Sequence, residues 1–152
     1  MEHGKSTLIK IILGQDKNYT GEFKLASSVK IGYIPQEIKF KNENDSILKY
    51  FMYDYSESET KARTYLAKYM FYGNNVFKRL NELSGGERVR LLLAKLVLQE
   101  INFLILDEPT NHLDISTREI LEETLQEFKG TILFVSHDRY FAKKLMQREI
   151  VL

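Results

Sequence analysis

The run Ile101-Asn102-Phe103-Leu104-Ile105-Leu106, broken at once by Asp107-Glu108-Pro109, constrains this chain more than any other stretch. A short, nearly continuous apolar segment suits a strand covered on both faces, and such strands belong to parallel sheets flanked by helices. Upstream, Leu83-Ser84-Gly85-Gly86-Glu87 opens a segment with leucines and valine at helical spacing. A helix start can hold phosphate, and carboxylates at a strand end can hold magnesium and prepare a water. Together the two features suggest nucleotide hydrolysis.

The same alternation continues through the second half of the chain. The pattern predicts a helix over 87–99 and another from Ser116 to about Phe128, with Ser116 and Glu119 as its capping box. A buried strand over 131–135, a helix over 138–146 and the start of a strand over 149–152 follow. Alternating helices and buried strands imply right-handed crossovers and a parallel sheet, so the fold class is α/β. Earlier, Ser6 to Leu13 reads as a short helix stopped by Gly14. Residues 21–26 and 29–34 read as strands joined at Ser27-Ser28. The middle, from about Phe40 to Leu83, reads as a small helical lobe, with helices over 45–55 and 57–72 and a capping box of Ser56 and Glu59. The chain has no internal repeat, low-complexity tract or flexible linker.

Hydrophobic residues make up 43% of the 152, enough for a packed core. The 22 Lys and Arg against 21 Asp and Glu leave a net charge of +1, which carries no global sign of nucleic-acid binding. With no cysteine, disulfides and thiolate metal sites are excluded, which fits a cytoplasmic protein. No apolar run reaches the roughly 18 residues of a spanning helix. The start Met1-Glu2-His3-Gly4 lacks an export pattern.

Each chemical motif has a plain reading beside the functional one. Gly4-Lys5-Ser6-Thr7 has the form of the end of a phosphate loop, where amides and a helix start face phosphate, Lys5 reaches the outer groups and Ser6 reaches magnesium. A helix opening on Ser-Thr needs no ligand, however. The glycine that begins the full loop would lie before Met1. Ser84 and Glu87 suffice as a capping box. Yet two glycines cost a helix roughly 1 kcal/mol each, and a glycine pair lets a large ligand approach the backbone. Asp107 and Glu108 either end a strand in a polar loop, or hold magnesium and polarise a water; a bound cation would relieve their repulsion. His137, after the strand over 131–135, has structural hydrogen bonding as its ordinary role, and so do His112 and His3. Gln36, after Tyr33-Ile34-Pro35, says little alone. The aromatics Tyr50, Phe51, Tyr53, Tyr55, Tyr65, Tyr69, Phe71 and Tyr72 either pack the lobe or offer a base-stacking surface.

Taken together and in order, these residues resemble the nucleotide-binding domain of ATP-binding-cassette (ABC) proteins over nearly the whole chain. Gly4-Lys5-Ser6-Thr7 resembles the end of the Walker A loop, Gln36 the Q-loop glutamine, and Leu83 to Glu87 the family signature. Ile105-Leu106-Asp107-Glu108 resembles Walker B, Asn111-His112-Leu113-Asp114 the D-loop, and His137 the switch histidine. The stretches Asp107 to Asp114 and Val135 to Phe141 are similar to the ABC-F subfamily, and Phe128 to His137 to its second domain. ABC-F proteins are soluble tandem-domain ATPases acting on the ribosome as translation factors or antibiotic-resistance proteins.

The resemblance implies a P-loop NTPase fold with a parallel core sheet, flanking helices and a small helical subdomain. It also implies ATP and Mg2+ as ligands and a second ABC domain, in the same polypeptide or a second copy, as partner. Lys5, Ser6, Gln36 and Asp107 would hold phosphate and metal. Ser84, Gly85, Gly86 and Glu87 would meet the γ-phosphate bound by the partner. Glu108 would be the base, supported by His137. The family's first strand and adenine-stacking aromatic would precede Met1, and further strands would follow His137. The chain therefore reads as one partial domain over 1–152, truncated at both ends, with Glu2 placing a negative charge where the loop has glycine. A transporter's ATPase subunit and a non-catalytic remnant are the alternatives.

Overall fold

The computed structural model describes residues 3–148, the side chain of His3 excepted. The expectations for Glu2 and for a strand over 149–152 lie outside the described residues. Three strands, β1 (Ile31–Ile34), β2 (Phe103–Asp107) and β3 (Thr131–Val135), form a parallel sheet in that order among the described residues. The central strand is the apolar run that ends in Asp107. Leu104, Ile105 and Leu106 have no exposed surface at all. Parallel neighbours cannot be joined by a tight turn, so helices must cross between them.

The helices among the described residues are α1 (His3–Ile12), before β1; α2 (Ile47–Met52), α3 (Glu59–Ala67) and α4 (Gly85–Leu98), between β1 and β2; α5 (Ile115–Glu127), between β2 and β3; and α6 (Arg139–Leu145), after β3. The segment from β1 to β2 contains α2, α3, two short 3-10 turns over 73–77 and 80–82, and then α4. Helix α4 presents Val89, Leu93 and Leu96 to the common core. Helix α5 carries the chain from β2 to β3 and buries Leu121 and Leu125.

Several boundaries differ from the sequence expectation for identifiable reasons. No strand forms over 21–26. Every residue from 17 to 28 is exposed, Phe23 and Leu25 among them, and among the described residues no neighbouring strand receives this segment's backbone groups. A lone extended segment gains neither burial nor ladder bonds. Helix α3 is capped by Ser58, whose hydroxyl accepts from the Lys61 amide, rather than by Ser56. Asp114, not Ser116, caps α5: its carboxylate accepts from the Thr117 amide and also from the Ser116 hydroxyl. An aspartate there also complements the helix dipole.

The aromatic series packs the helical segment. Phe51, Tyr69 and Phe71 are buried, Phe51 stacks on Tyr65 at 5.7 Å, and Tyr65 donates to the carbonyl of Ala94. Of the eight aromatics named above, only Tyr53 and Tyr72 are exposed. Two separated rings do not make a stacking platform.

Candidate active site at the strand ends

Parallel register brings the three strand ends side by side, with Ile34, Leu106 and Phe134 in line across the sheet. From there the chain leaves β1 into Pro35-Gln36, β2 into Glu108-Pro109 and β3 into Ser136-His137. A cavity of about 160 Å³ lies at this edge, lined by Lys5, Ser6, Gln36, Asp107, Glu108, Asn111, Val135 and His137. Ligands of open α/β sheets bind at this carboxyl edge. The start of α1 supplies Lys5 and Ser6 and has no acidic residue in its first turn, so its positive end is available to an anion.

The backbone turns sharply to aim Glu108. Its φ is +48°, a conformation that side-chain-bearing residues rarely adopt. The strain is held because the Glu108 amide extends the ladder past the strand end and donates to the Val135 carbonyl at 2.9 Å. The carboxylate, 9% exposed, then accepts from the His137 amide at 3.1 Å and lies 3.3 Å from His137 Nε2. The imidazole itself is 62% exposed. One carboxylate thus fixes both the loop and the ring of the histidine.

Asp107 is the other uneasy group. Burial pushes its carboxyl above the ordinary aspartate value, and Lys10 opposes this only in part. Tyr33 is raised too, first by burial and then by the Asp107 charge. A half-buried carboxylate short of positive charge favours a cation beside it. Among the described residues no cluster of three or more His, Cys, Asp or Glu forms an all-protein metal cage. Mg2+ does not need one, because it is commonly held by one or two carboxylates together with phosphate and water. The Ser6 hydroxyl and Asp107 fit that donor set.

The remaining sequence-derived candidates lie elsewhere. Gly4 and Thr7 sit at the start of α1 and are exposed outside the cavity lining. Ser84 and Gly85 are exposed at the start of α4. Gly85 faces a neighbouring groove of about 540 Å³ that shares Gln36, Glu108 and Asn111 with the cavity. A Cβ on Gly85 would meet open space. Gly86 has a different job: a Cβ there would stand 3.2 Å from Thr117 Oγ1 and 3.4 Å from an Asp114 oxygen, so this glycine lets α4 approach α5. The two glycines are therefore not one feature. Glu87 closes the capping box by accepting from the Ser84 amide at 2.8 Å, and Lys78 bonds both its oxygens at 3.0 Å. Burial raises the Glu87 carboxyl, but these bonds outweigh it and hold the group low.

Two features of the site escape motif reading. Asn111 lines both cavity and groove; the sequence marks it as the start of the stretch resembling a D-loop, without a part in holding nucleotide or metal. Arg88 grips both Glu43 oxygens at 2.9 and 2.7 Å and donates to the carbonyls of Ile38 and Leu80. It ties the segment after Gln36 to the start of α4. No short-range signal in the sequence links positions so far apart.

The ABC transporter family model matches residues 3–111. The chain belongs to the ATP-binding-cassette family. It is 45% identical over 150 residues to the putative ATP-binding protein YdiF of Bacillus subtilis, covering 98% of this chain and 23% of that protein. It is 41% identical to the ATP-binding protein Uup of Buchnera aphidicola, covering 95% of the chain and 25% of the relative. For the probable ATP-binding protein YheS of Escherichia coli K12 the identity is 42%, covering 92% and 22%. These relatives are ABC-F proteins, and the chain spans about a quarter of their length. The fold matches RNase-L inhibitor with a TM-score of 0.74 at 23% identity, over 93% of this chain and 28% of that one. It also matches the archaeal ribosome recycling factor, solved in complex with a ribosomal stalk protein, with a TM-score of 0.73 at 25% identity and the same coverage. The fold is thus that of a P-loop ABC domain, from a family of ATPases.

Proposed function

We propose that the strand-end cavity takes the triphosphate of ATP with Mg2+, and that the domain hydrolyses ATP as one half of a paired ABC-F ATPase acting on the ribosome. The observation that carries this reading is the meeting of Lys5, Ser6, Gln36, Asp107, Glu108 and His137 around one cavity. Lys5 and the amides opening α1 bind the outer phosphates. Ser6, Asp107 and Gln36 hold Mg2+, which when bound neutralises charge on the phosphate oxygens. Glu108 accepts a proton from the attacking water, and His137 donates to the γ-phosphate. Such catalysis is mostly positioning and electrostatics.

Ser84 and Gly85 are exposed outside this cavity. They serve a nucleotide bound by a second domain, supplied by the same polypeptide or by another copy. The ribosomal role rests on kinship with ABC-F proteins and on the likeness to a recycling factor solved with a stalk protein. Among the described residues no helix is long and apolar enough to cross a membrane. Co-sedimentation with ribosomes supports the ribosomal role, and co-purification with a membrane protein supports a transporter subunit instead.

The direct test is a thermal melt with ATP, with and without Mg2+. A ligand that binds only the native state raises the melting temperature. A rise that needs both ATP and Mg2+ and disappears in Lys5→Ala supports the site. No rise at millimolar Mg-ATP overturns it and leaves a non-catalytic remnant.

A further inference from the structure

Resting on the ATPase reading above, we infer that Arg118 is a positioning residue that sets His137 against Glu108 through Asp138. Arg118 lies in the second turn of α5. Its Nη2 donates to Asp138 Oδ2 at 2.8 Å and its Nε to Glu122 Oε1 at 3.0 Å. The guanidinium also lies 5.6 Å from the centre of the Tyr140 ring. A planar fork that engages two carboxylates and an aromatic face has little freedom to move.

Asp138 follows His137 directly and has two tasks. Its Oδ1 accepts from the Phe141 amide and caps α6, while its Oδ2 is held by Arg118. Its own amide donates to Ser136 Oγ at 3.0 Å. The residues on both sides of His137 are therefore tied to each other, and the tie is anchored where α6 meets α5. A second bond reinforces that joint: Lys144 of α6 donates to Glu122 at 2.6 Å, and Glu122 is buried. Burial raises the Glu122 carboxyl, but Lys144 and Arg118 outweigh it and keep it charged. Phe141 is fully buried and packs edge-on against Phe134 of β3 at 5.5 Å, so α6 cannot slide along the sheet freely.

The imidazole of His137 is largely exposed, and its contact with Glu108 is 3.3 Å. Glu108 touches the ring and accepts from the His137 amide, and the loop that carries the ring is the second determinant of its placement. That loop is positioned by α6, and α6 by Arg118. Asp114, which caps α5, lies against Gly86, so one capped helix touches both the signature turn and the histidine loop. Loss of the fork leaves the histidine in place on average but lets it wander relative to Glu108. Such a fault slows the chemical step and spares nucleotide binding.

The test compares Arg118→Met, Arg118→Lys and Asp138→Asn with the parent. Asp138→Asn keeps an oxygen to cap α6 and puts an NH2 donor where Arg118 holds an oxygen, so both the charge and the acceptor are removed. Melting curves establish that each variant folds. Histidine ring NMR signals, assigned with His137→Gln, then report position in the nucleotide-free protein. The His137 signals shift and broaden in Arg118→Met and Asp138→Asn while those of His112 stay unchanged, and Arg118→Lys is intermediate. In ATPase assays kcat falls about tenfold in Arg118→Met while KM for ATP stays within about twofold. His137 signals that match the parent in both Arg118→Met and Asp138→Asn overturn the inference. So does a KM that rises as much as kcat falls. Failure of the parent to bind or hydrolyse ATP would sink the ATPase reading, and the NMR comparison would still decide the positioning claim.

Discussion

A glutamate at φ +48° persists only where its surroundings repay the strain, and Glu108 has the Val135 carbonyl, the His137 amide and the His137 ring to hold it. Glu108→Gln keeps the volume and the acceptor for the His137 amide but removes the base. Hydrolysis should fall by about 10²–10⁴-fold in single-turnover assays, with Mg-ATP still raising the melting temperature. Asp107 makes an opposite prediction for stability. Burial holds its folded pKa above the unfolded value, so its charged form is disfavoured in the fold and the resulting stability is lost as pH rises through that range. Asp107→Asn should therefore raise the melting temperature of the nucleotide-free protein at neutral pH and abolish the further rise given by Mg-ATP. A lower melting temperature without nucleotide would show that the carboxylate has a partner that compensates its burial.

Elements meet at points where a side chain would not fit. A Cβ on Gly130 would come within 2.4 Å of the Asn102 carbonyl oxygen and 2.8 Å of its carbon, at the entry to β3. Backbone cannot step aside as a flexible side chain can, so Gly130→Ala should cost about 1–3 kcal/mol in a denaturant melt. Gly86→Ala meets side-chain atoms at 3.2 and 3.4 Å and should cost less. The joint between the segment after Gln36 and α4 depends instead on charge. Arg88, with help from the Phe40 amide, holds the Glu43 carboxyl at about 2, below its usual 4.5. The folded value is lower, so this link stabilises the protein fully above pH 4.5 and is lost as pH falls toward 2. Glu43→Gln should flatten the decline in melting temperature over that interval.

At the scale of the whole molecule, one edge of the sheet carries the groups that would bind and cleave a nucleotide, while Ser84 and Gly85 of the signature turn are exposed outside the cavity. If Ser84 serves a neighbour's nucleotide, turnover per chain should rise with protein concentration, toward a plateau as pairs fill. Ser84→Ala should lower that plateau and leave the Mg-ATP shift in melting temperature unchanged. Turnover per chain that is independent of concentration, in protein shown to be monomeric by sedimentation, would mean that each copy works alone.

The apolar run ending in Asp107-Glu108 pointed to a buried central strand, because so short an apolar run between polar flanks suits a covered strand better than a helix. The alternation around it implied the parallel sheet, and the capping box of Ser84 and Glu87 located the start of α4. Short-range chemistry governs all three. Tertiary structure decided the rest. It gave 21–26 no neighbour to pair with among the described residues, and no strand formed there. It chose Asp114 over Ser116 as a cap by what each oxygen could reach. It gave Gly85 and Gly86 separate roles, and it joined Arg88 to Glu43 and Arg118 to Asp138. Those outcomes depend on which surfaces come together in space, and a linear pattern of residues holds no measure of that distance.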